Sequence, residues 1–575
     1  MLPVSGKGSK NNFDVVIVSG DAYIDHPSFG AAVVGNLLKS YGLRVGIIPQ
    51  PDWHGTNDFK VFGKPNIFFG ITAGCVDSMV ANYTPLRKKR KKDSYAEGGR
   101  AGLRPDRACI VYTNRIREAF KDAFVILGGV EASSRKLAHY DFWDDSLRRS
   151  ILIDSGANLI LYGPVEGALL PLLEWLKGGR DIYDLFSIGS IVFSIPAKEI
   201  SRLPEGVVFL PSFEEIRKDK ELLREAQIKI NKFSTSKILV QKHDERLVVH
   251  TPPAVISEND LDTVYSLSFS RKQHPIYKFP VPALEVVQNS ITGHRGCIGD
   301  CSFCILSICQ GKKVISRSEQ SILNEAKWLS SQKFFRGTIT DIGGPTANMY
   351  KIKCKKNLIP NSCINRNCLY PRVCPNLIVD HSAQMRLIKK IKEIPNVKHV
   401  FLNSGVRHDL VVLDPGYFEF LFKEDIICGQ LSVAPEHVSE RVLKLMRKPP
   451  PDVWERFKEE FARLRKRYSK DYYFVPYFIL SFPGSNLEDA FVLSREIQKY
   501  VKYPLQLQDF TPLPLSDASC MYYTEKDMEG NRIFIAKTYE EKLMQRGLVQ
   551  FRNPAYSKWA KKALRILGRS MCDLT

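Results

Sequence analysis

The sequence predicts an α/β protein in which an N-terminal doubly wound, Rossmann-like parallel sheet is followed by a partial (β/α)6 TIM-like barrel. Two observations predict this class. Apolar runs that end in glycine-bearing turns alternate with helical stretches over the first 200 residues. A second such series starts at residue 286. The predicted domains are 1–200, a connector 201–285, a barrel 286–515 with a cysteine-rich insert 351–376, and a C-terminal helical extension 516–575.

Five near-continuous apolar runs form the first predicted sheet. They are FDVVIVSG (13–20), LRVGIIPQ (43–50), NIFFGITAG (66–74), AFVILGGVEA (123–132) and NLILYGPVEG (158–167). Pro27 and Gly42 bound a helix between the first two, which makes a βαβ unit. No GxGxxG motif follows the first strand, which argues against a nicotinamide enzyme.

The connector carries local signals without recognisable chemistry. Ser212 and Glu215 form a capping-box pattern that opens a charged helix ending near Lys232. ILVQKHDERLVVH predicts a hairpin that turns at Asp244 and Glu245.

Six further runs predict the barrel strands. They are VVQNSITG, FRGTITDIGG, HVFLNSGV, GQLSVAPEH, YFVPYFILSFPG and LQLQDFTPLP. Barrel sites lie at the carboxyl ends of strands. The polar and small residues at those ends are Cys297, Gly343, Gly344, Ser404, Arg407, Glu436, His437 and Ser481. Turns collect such residues in any fold, but their convergence on one barrel face predicts a site.

Composition bounds the class of protein. The 575 residues, 44% hydrophobic and 25% charged, fit a globular protein of several domains. We expect no signal peptide and no membrane span, because the chain has no long uncharged apolar run. Without export signals, thirteen cysteines favour reduced thiols and metal ligands, and a cytoplasmic location.

The chain is strongly basic, with a net charge of +21 and a pI near 9.3. Such an excess attracts polyanions such as nucleic acids. The densest run is RKKRKK, Arg87 to Lys92. It fits a solvated, mobile loop, because like charges repel, and it also fits a loop that contacts phosphates.

GHRGCIGDCSFC contains Cys297, Cys301 and Cys304. Disulfides need even numbers and an oxidising compartment, and structural zinc takes four ligands. A [4Fe–4S] cluster held by three thiolates would keep one iron open. The alternatives are a zinc site that borrows another ligand and a chance cluster of thiols.

CIGDCSFC resembles the CxxxCxxC signature of the radical S-adenosylmethionine (SAM) superfamily, with Phe303 as the aromatic residue before the last cysteine. The resemblance implies a [4Fe–4S] cluster on Cys297, Cys301 and Cys304, with SAM on the open iron. Reductive cleavage of SAM then gives a 5′-deoxyadenosyl radical. It also implies an external electron donor such as a flavodoxin or ferredoxin.

The same resemblance implies residues that hold SAM. DIGGP supplies Gly343 and Gly344 at the superfamily's GGE-like turn, with Pro345 in place of the acid. By analogy, Ser404 and Arg407 lie near the ribose or carboxylate, and Glu436 and Ser481 occupy similar strand ends. For these four residues, hydrogen-bonded turn roles are the alternative.

Three longer motifs are similar to the YgiQ-type radical SAM proteins. They are HPSFGAAVVGNLLKSYGLRVGIIPQPDW, GGVEASSRKLAHYDFWDDSLRRSILID and TPLPLSDASCMYYTEKD. The similarity runs from about residue 13 to about 568 and implies an N-terminal α/β domain ahead of a radical SAM barrel. It implies no particular reaction.

A second cysteine group comprises Cys354, Cys363, Cys368 and Cys374. Residues 345–379 contain no Asp or Glu but six Lys or Arg. The spacing is irregular for a zinc ribbon. A second iron–sulfur cluster is favoured over zinc, and unligated thiols are the further alternative.

Doubly wound domains ahead of such barrels often bind cobalamin through an Asp-x-His-x-x-Gly motif, so the first domain is also cobalamin-domain-like. DHPSFG (25–30) places His26 one position too early for that motif. The sequence therefore argues against cobalamin, with base-off binding without a histidine ligand as the alternative. His26 is expected to be a helix-start residue or a substrate contact.

The predicted function is a radical SAM enzyme that acts on an unknown substrate, with RNA or another macromolecule favoured by the basic charge. The alternative is a non-catalytic iron–sulfur or zinc-containing protein that binds nucleic acid. The sequence identifies no catalytic acid, base or hydrogen donor. Tyr522 and Tyr523 follow the sixth strand, where packing is the simpler role.

Overall fold

The computed structural model describes residues 1–4, 13–179, 181–356, 363, 367–499 and 506–574. They divide into two compact units. The first unit is Met1–Thr292, Ile308–Gly311 and Arg317–Glu325, and the second is Gly293–Ser307, Lys312–Ser316 and Ala326–Thr575. Parts of the predicted insert (357–362 and 364–366) and Leu505 of the sixth predicted barrel strand lie outside the described residues. The predicted domain bounds stay predictions.

The first unit is built on a nine-stranded sheet. Its strands are β1 Val15–Ser19, β2 Val45–Pro49, β3 Phe68–Thr72, β4 Val125–Gly128, β5 Leu159–Leu161, β6 Ile191–Pro196, β7 Val208–Phe209, β8 Leu239–His243 and β9 Arg246–His250. Their order in the sheet is β7-β8-β9-β6-β5-β4-β3-β1-β2. Strands β2, β1, β3, β4 and β5 are parallel. These five strands confirm the predicted parallel sheet.

Helices connect these strands and cover the sheet. They are α1 Gly30–Ser40, α2 Ser78–Asn82, α3 Ala108–Ala119, α4 Gly129–Ser134, α5 Ile151–Ser155, α6 Glu166–Lys177, α7 Phe213–Lys218, α8 Lys220–Phe233, α9 Glu258–Ser266 and α10 Pro282–Val287. Helix α1 ends before Gly42, whose φ of 81° is the left-handed conformation that glycine adopts without cost. Ser212 and Glu215 form the predicted capping box of α7.

The predicted hairpin in the connector continues this sheet. Strands β8 and β9 pair antiparallel around Asp244, which adopts a φ of 50°. Strand β9 in turn pairs antiparallel with β6, and β6 pairs antiparallel with β5. The hairpin therefore widens the parallel sheet by an antiparallel edge.

The second unit contains a series of strands, several of which pair parallel. They are β10 Thr338–Ile339, β11 Asp341–Gly343, β12 His399–Val400, β13 Gln430–Glu436, β14 Tyr473–Leu480 and β15 Gln506–Asp509. Strand β10 pairs parallel with β12, and β14 pairs parallel with both β13 and β15. A parallel bridge between Val406 and Val433 joins the two sets. This is the open α/β arrangement expected from the sequence.

Helices follow most of these strands. They are α13 Ser382–Lys392, α14 His408–Val411, α15 Pro415–Lys423, α16 Glu440–Met446, α17 Pro451–Arg467, α18 Leu487–Gln498, α19 Asp517–Thr524, α20 Tyr539–Val549 and α21 Pro554–Ile566. Two further helices, α11 Leu306–Gln310 and α12 Glu319–Ser330, contain residues of both units. Within the described residues, no helix combines the length and the apolar character needed to cross a lipid bilayer.

Candidate active site

The three cysteines of the triplet lie in one loop of the second unit. The Cys304 N–H donates to the Cys301 carbonyl at 3.0 Å, and the Gly299 N–H donates to the Cys297 Sγ at 3.4 Å. Ser302 fixes the loop from outside, because its hydroxyl donates to the Leu445 carbonyl at 2.7 Å. The loop therefore has a defined backbone, with all three thiols half-buried.

A buried guanidinium lies against this loop. Arg407 Nη1 is 3.8 Å from the Cys301 Sγ, while its Nε and Nη2 donate to the Asp409 carboxylate at 3.0 and 2.7 Å. Burial alone would raise the pKa of Asp409, but the Arg407 guanidinium lowers it to about 2. A Cβ on Gly299 would meet Arg407 Nη1, so glycine here lets the guanidinium approach the loop. The geometry places a fixed positive charge beside the thiols.

The thiols fit a [4Fe–4S] cluster. Burial raises the pKa of Cys297 and Cys304, and Arg407 opposes this effect at Cys297, so a bound metal would be needed to hold the thiolates. Among the described residues, no group of three or more His, Cys, Asp or Glu side chains forms a site for a single metal ion. In a four-iron cluster each thiolate binds a different iron, so its ligands stand farther apart than those of one ion. The donor set and the adjacent cation suit such a cluster.

The predicted glycine turn has no room for side chains. A Cβ on Gly343 would meet the Asp341 carboxylate and the Ser404 hydroxyl, and a Cβ on Gly344 would meet the ring of His294. The Gly343 carbonyl accepts from the Gly293 N–H at 2.7 Å. The turn therefore presents bare backbone at a strand end.

Asp341 and Ser404 are held together beside this turn. The Ser404 N–H and hydroxyl both donate to Asp341 Oδ1 at 3.1 Å. Burial raises the pKa of Asp341 to about 6, although the Ser404 donors oppose the shift. This carboxyl can therefore change its protonation state near neutral pH.

Glu436 ends β13 in an unusual backbone conformation. Its φ is 70°, and the register of β13 against β14 shifts between Val433 and Glu436. Such a bulge re-aims a side chain at a strand end. Burial raises the pKa of Glu436, while Lys448, with its Nζ 4.0 Å from Glu436 Oε1, opposes the rise.

Phe303 and Ser481 contact other residues of the second unit. The Phe303 ring contacts the Phe482 ring edge-on, with centroids 6.1 Å apart. Ser481 has a φ of 56° and donates its N–H to Gln545 at 2.9 Å. Tyr522 is buried, with its ring centroid 6.2 Å from that of Phe510, as expected for a packing residue.

The described part of the insert brings cysteines of the second group near one another. Burial raises the pKa of Cys368 to about 11, and the neighbouring Cys374, Cys363 and Cys354 add to the rise. The Cys374 N–H donates to the Cys368 carbonyl at 2.8 Å. Cys368 and Cys297 pack against the same apolar cluster, which is built around Ile298, Met349, Leu369 and Leu410. The insert therefore lies beside the cysteine loop.

The first unit has a buried ionic network of a different kind. Arg104 Nη2 lies 2.7 Å from Asp21 and 3.1 Å from Asp93. Arg135 lies 2.9 Å from Asp77 and 3.6 Å from Asp141. Asp21, Asp77 and Gly129 follow parallel strands, so the network occupies the carboxyl edge of the sheet.

Asp341, Asp409 and Lys448 were not predicted as site residues from the sequence. Asp341 stands two residues before the glycine turn, and a carboxylate at that spacing is a signal that could have identified it. Asp409 stands two residues after Arg407, which is a weaker signal. Lys448 lies outside every motif, and only folding brings it to Glu436.

Family models match nearly the whole chain. Residues 4–290 match the Radical SAM N-terminal model, 291–494 the Radical SAM superfamily and 505–574 a domain of unknown function, DUF3362. A UPF0313 protein of Clostridium botulinum is 44% identical over 98% of this chain and 90% of its own length. One from Methanosarcina mazei is 41% identical over 98% and 96%. The chain belongs to the UPF0313 family, of the YgiQ type. As a member of this radical SAM family it is an enzyme.

Solved structures of distant radical SAM enzymes also match this UPF0313 protein. TsrM from Kitasatospora setae, with cobalamin and a [4Fe–4S] cluster bound, matches at a TM-score of 0.46 and 14% identity over 88% of this chain and 78% of that one. OxsB, with aqua-cobalamin bound, matches at 0.47 and 11% over 98% and 63%.

The expectation that argued against cobalamin is wrong: it rested on the displaced His26 alone, whereas residues 4–290 as a whole match the Radical SAM N-terminal model. A displaced histidine removes one possible lower ligand and nothing more. In the structure His26 Nδ1 accepts from the Ser28 N–H at 3.0 Å, which is a helix-start role. The position of His26 is therefore no evidence against cobalamin.

Proposed function

We propose that this UPF0313 protein cleaves SAM reductively at a [4Fe–4S] cluster held by Cys297, Cys301 and Cys304, and so starts radical chemistry on a separate substrate. The observation that carries the proposal is the cysteine loop, with three half-buried thiols and the Arg407 guanidinium 3.8 Å from one of them. When bound, the cluster supplies the electron that breaks the SAM sulfonium bond and leaves a 5′-deoxyadenosyl radical.

The chain's own residues would hold the cluster and SAM. Arg407 offsets the negative charge of the thiolates, and Asp409 keeps the guanidinium in place. Gly343 and Gly344 let Asp341, Ser404 and His294 pack directly against the turn, whose backbone we assign to the amino group of SAM. Glu436 offers a carboxylate at the end of a neighbouring strand. Ser404 is committed to Asp341, so we assign it the positioning of that carboxyl.

The test is anaerobic reconstitution with iron and sulfide, followed by dithionite and SAM and an assay for 5′-deoxyadenosine. The Cys301→Ala variant should lose product formation by at least about a hundredfold, because an iron would lose its ligand. Cys428→Ala, which alters an exposed cysteine, is the matched control and should behave as the wild type. Equal activity in the two variants would exclude the proposed ligand set.

We also propose that Cys354, Cys363, Cys368 and Cys374 bind a second iron–sulfur cluster. Support comes from the proximity of these thiols, since the other three raise the pKa of Cys368. The six Lys or Arg of residues 345–379 would offset thiolate charge. A variant with all four changed to Ser should contain less iron per chain, whereas Cys572→Ser, at an exposed cysteine, should not. Unchanged iron content, or loss of zinc instead, would contradict the proposal.

A further inference from the structure

We infer that the basic hairpin formed by residues 83–92 of the first unit binds the phosphate backbone of RNA. The six residues Arg87–Lys92 are all exposed. Binding of phosphates needs no cleavage of SAM, so this inference goes beyond the proposed function and can fail independently of it.

The hairpin is folded. The Arg87 N–H donates to the Thr84 carbonyl at 2.9 Å, and the Thr84 N–H donates to the Lys88 carbonyl at 2.8 Å. Backbone bridges join Tyr83 to Lys89 and Lys92 to Arg100. The structure therefore differs from a freely mobile loop, because the turn is closed by its own backbone.

Side chains at the base anchor the hairpin to the unit. Asn82 Nδ2 and the Tyr83 hydroxyl each donate to the Asp106 carboxylate at 2.7 Å. The Arg90 Nε donates to the Val80 carbonyl at 3.0 Å. The Arg87 guanidinium lies 4.4 Å from the centroid of the Phe142 ring. The base of the hairpin and the side chains of Arg87 and Arg90 are therefore held in place.

Five of the hairpin cations lack a carboxylate partner among the described residues. Within the part of the chain that the structure describes, no ion pair joins a carboxylate to any of these five residues: Arg87, Lys89, Arg90, Lys91 and Lys92. The nearby carboxylates have other partners, Arg104 for Asp93 and Arg107 for Asp144. Folding thus holds like charges close together, and a bound polyanion would relieve their repulsion.

The surface of the hairpin favours a nucleic acid, such as the RNA tested below, over an acidic protein. Protein interfaces have an apolar or aromatic centre from which charged residues are depleted. Residues 87–92 display charge alone, and the apolar neighbours at the turn, Pro85 and Leu86, are half-buried. Nucleic-acid interfaces are polar and strongly positive. The net charge of +21 adds a long-range attraction for a chain of phosphates.

The experiment measures binding of a fluorescein-labelled, mixed-sequence single-stranded RNA to the full chain by anisotropy, from about 50 to 200 mM salt. The test variant is Lys89→Gln, Lys91→Gln and Lys92→Gln. Its affinity at about 100 mM salt should fall about tenfold or more, and its salt slope should fall by about 2, because each phosphate contact contributes about 0.7 for single strands.

The matched control changes three exposed lysines elsewhere in the first unit, Lys39→Gln, Lys60→Gln and Lys198→Gln. This variant loses the same charge, but away from the hairpin. Its affinity should therefore stay within about threefold of the wild type. Equal weakening in both variants would overturn the site. The proposal would also be overturned if poly-glutamate bound to the wild type and lost as much affinity as RNA does in the hairpin variant. That result would indicate an acidic protein partner. Thermal melts that match the wild type establish that both variants fold.

Discussion

The carboxyl edges of both units contain buried ion pairs, such as Arg407–Asp409 in the second unit, but the second unit also places Asp341 beside uncharged donors. In the first unit each central guanidinium has two carboxylate neighbours, as Arg135 has in Asp77 and Asp141. In the second unit Asp341 is bonded to the hydroxyl and N–H of Ser404, with no ion pair among the described residues. Buried charge that is fully paired holds a scaffold in place, whereas a carboxyl with a raised pKa is typical of a functional site.

The largest effect is expected at the carboxyl edge of the first unit, where the guanidinium groups are paired with carboxylates. Arg135→Met removes the cation and leaves Asp77 buried without it, so the free energy of unfolding of the first unit should fall by about 3 to 5 kcal/mol. Urea unfolding at pH 7, followed by hydrogen exchange of peptides from β4, reports on this unit by itself.

Arg100→Met is the control for that variant, because Arg100 forms an exposed ion pair with Glu97. Its cost should be below about 1 kcal/mol. If Arg135→Met were no more costly than Arg100→Met, the first edge would not depend on its ion pairs.

A smaller effect, on the pH dependence of stability, is expected at the carboxyl edge of the second unit. The pKa of Asp341 is raised to about 6 in the folded protein, so the stability linked to its protonated form is present below pH 4 and is lost as the pH rises through 6. Asp341→Asn has no such loss. From pH 4 to pH 7 the variant should therefore gain up to about 3 kcal/mol relative to the wild type.

Unfolding in urea at several pH values measures this gain. Asp471→Asn alters a carboxyl whose side chain is 98% exposed, and its difference from the wild type should stay within about 0.5 kcal/mol at every pH. A difference between Asp341→Asn and the wild type that does not change with pH would mean that the carboxyl titrates normally.

The five parallel strands of the first unit were predictable because each is largely buried and reads as an apolar run. The barrel strands were less so. VVQNSITG is helical as far as Val287, because Pro282 starts helix α10, and the strand begins at Ser290. FRGTITDIGG divides into β10 and β11. Such short strands depend on their neighbours more than on local pattern.

The structure of the basic run Arg87–Lys92 could not be predicted from its local sequence either. Six adjacent cations predict repulsion and an extended loop. The partners that fold them into a hairpin, Asp106 and Phe142, stand 14 or more positions farther along the chain, where no pattern relates them to Arg87–Lys92.

By itself, the sequence determined the family, the α/β class and the cysteine loop, because these depend on residues that are close together along the chain. Only the tertiary structure decided which charges meet. Arg407 reaches Cys301, and Lys448 approaches Glu436, across segments that no local periodicity connects. The physical reason is that a buried charge takes whichever partner the packed elements bring within a few ångströms, and that choice is made by the whole fold.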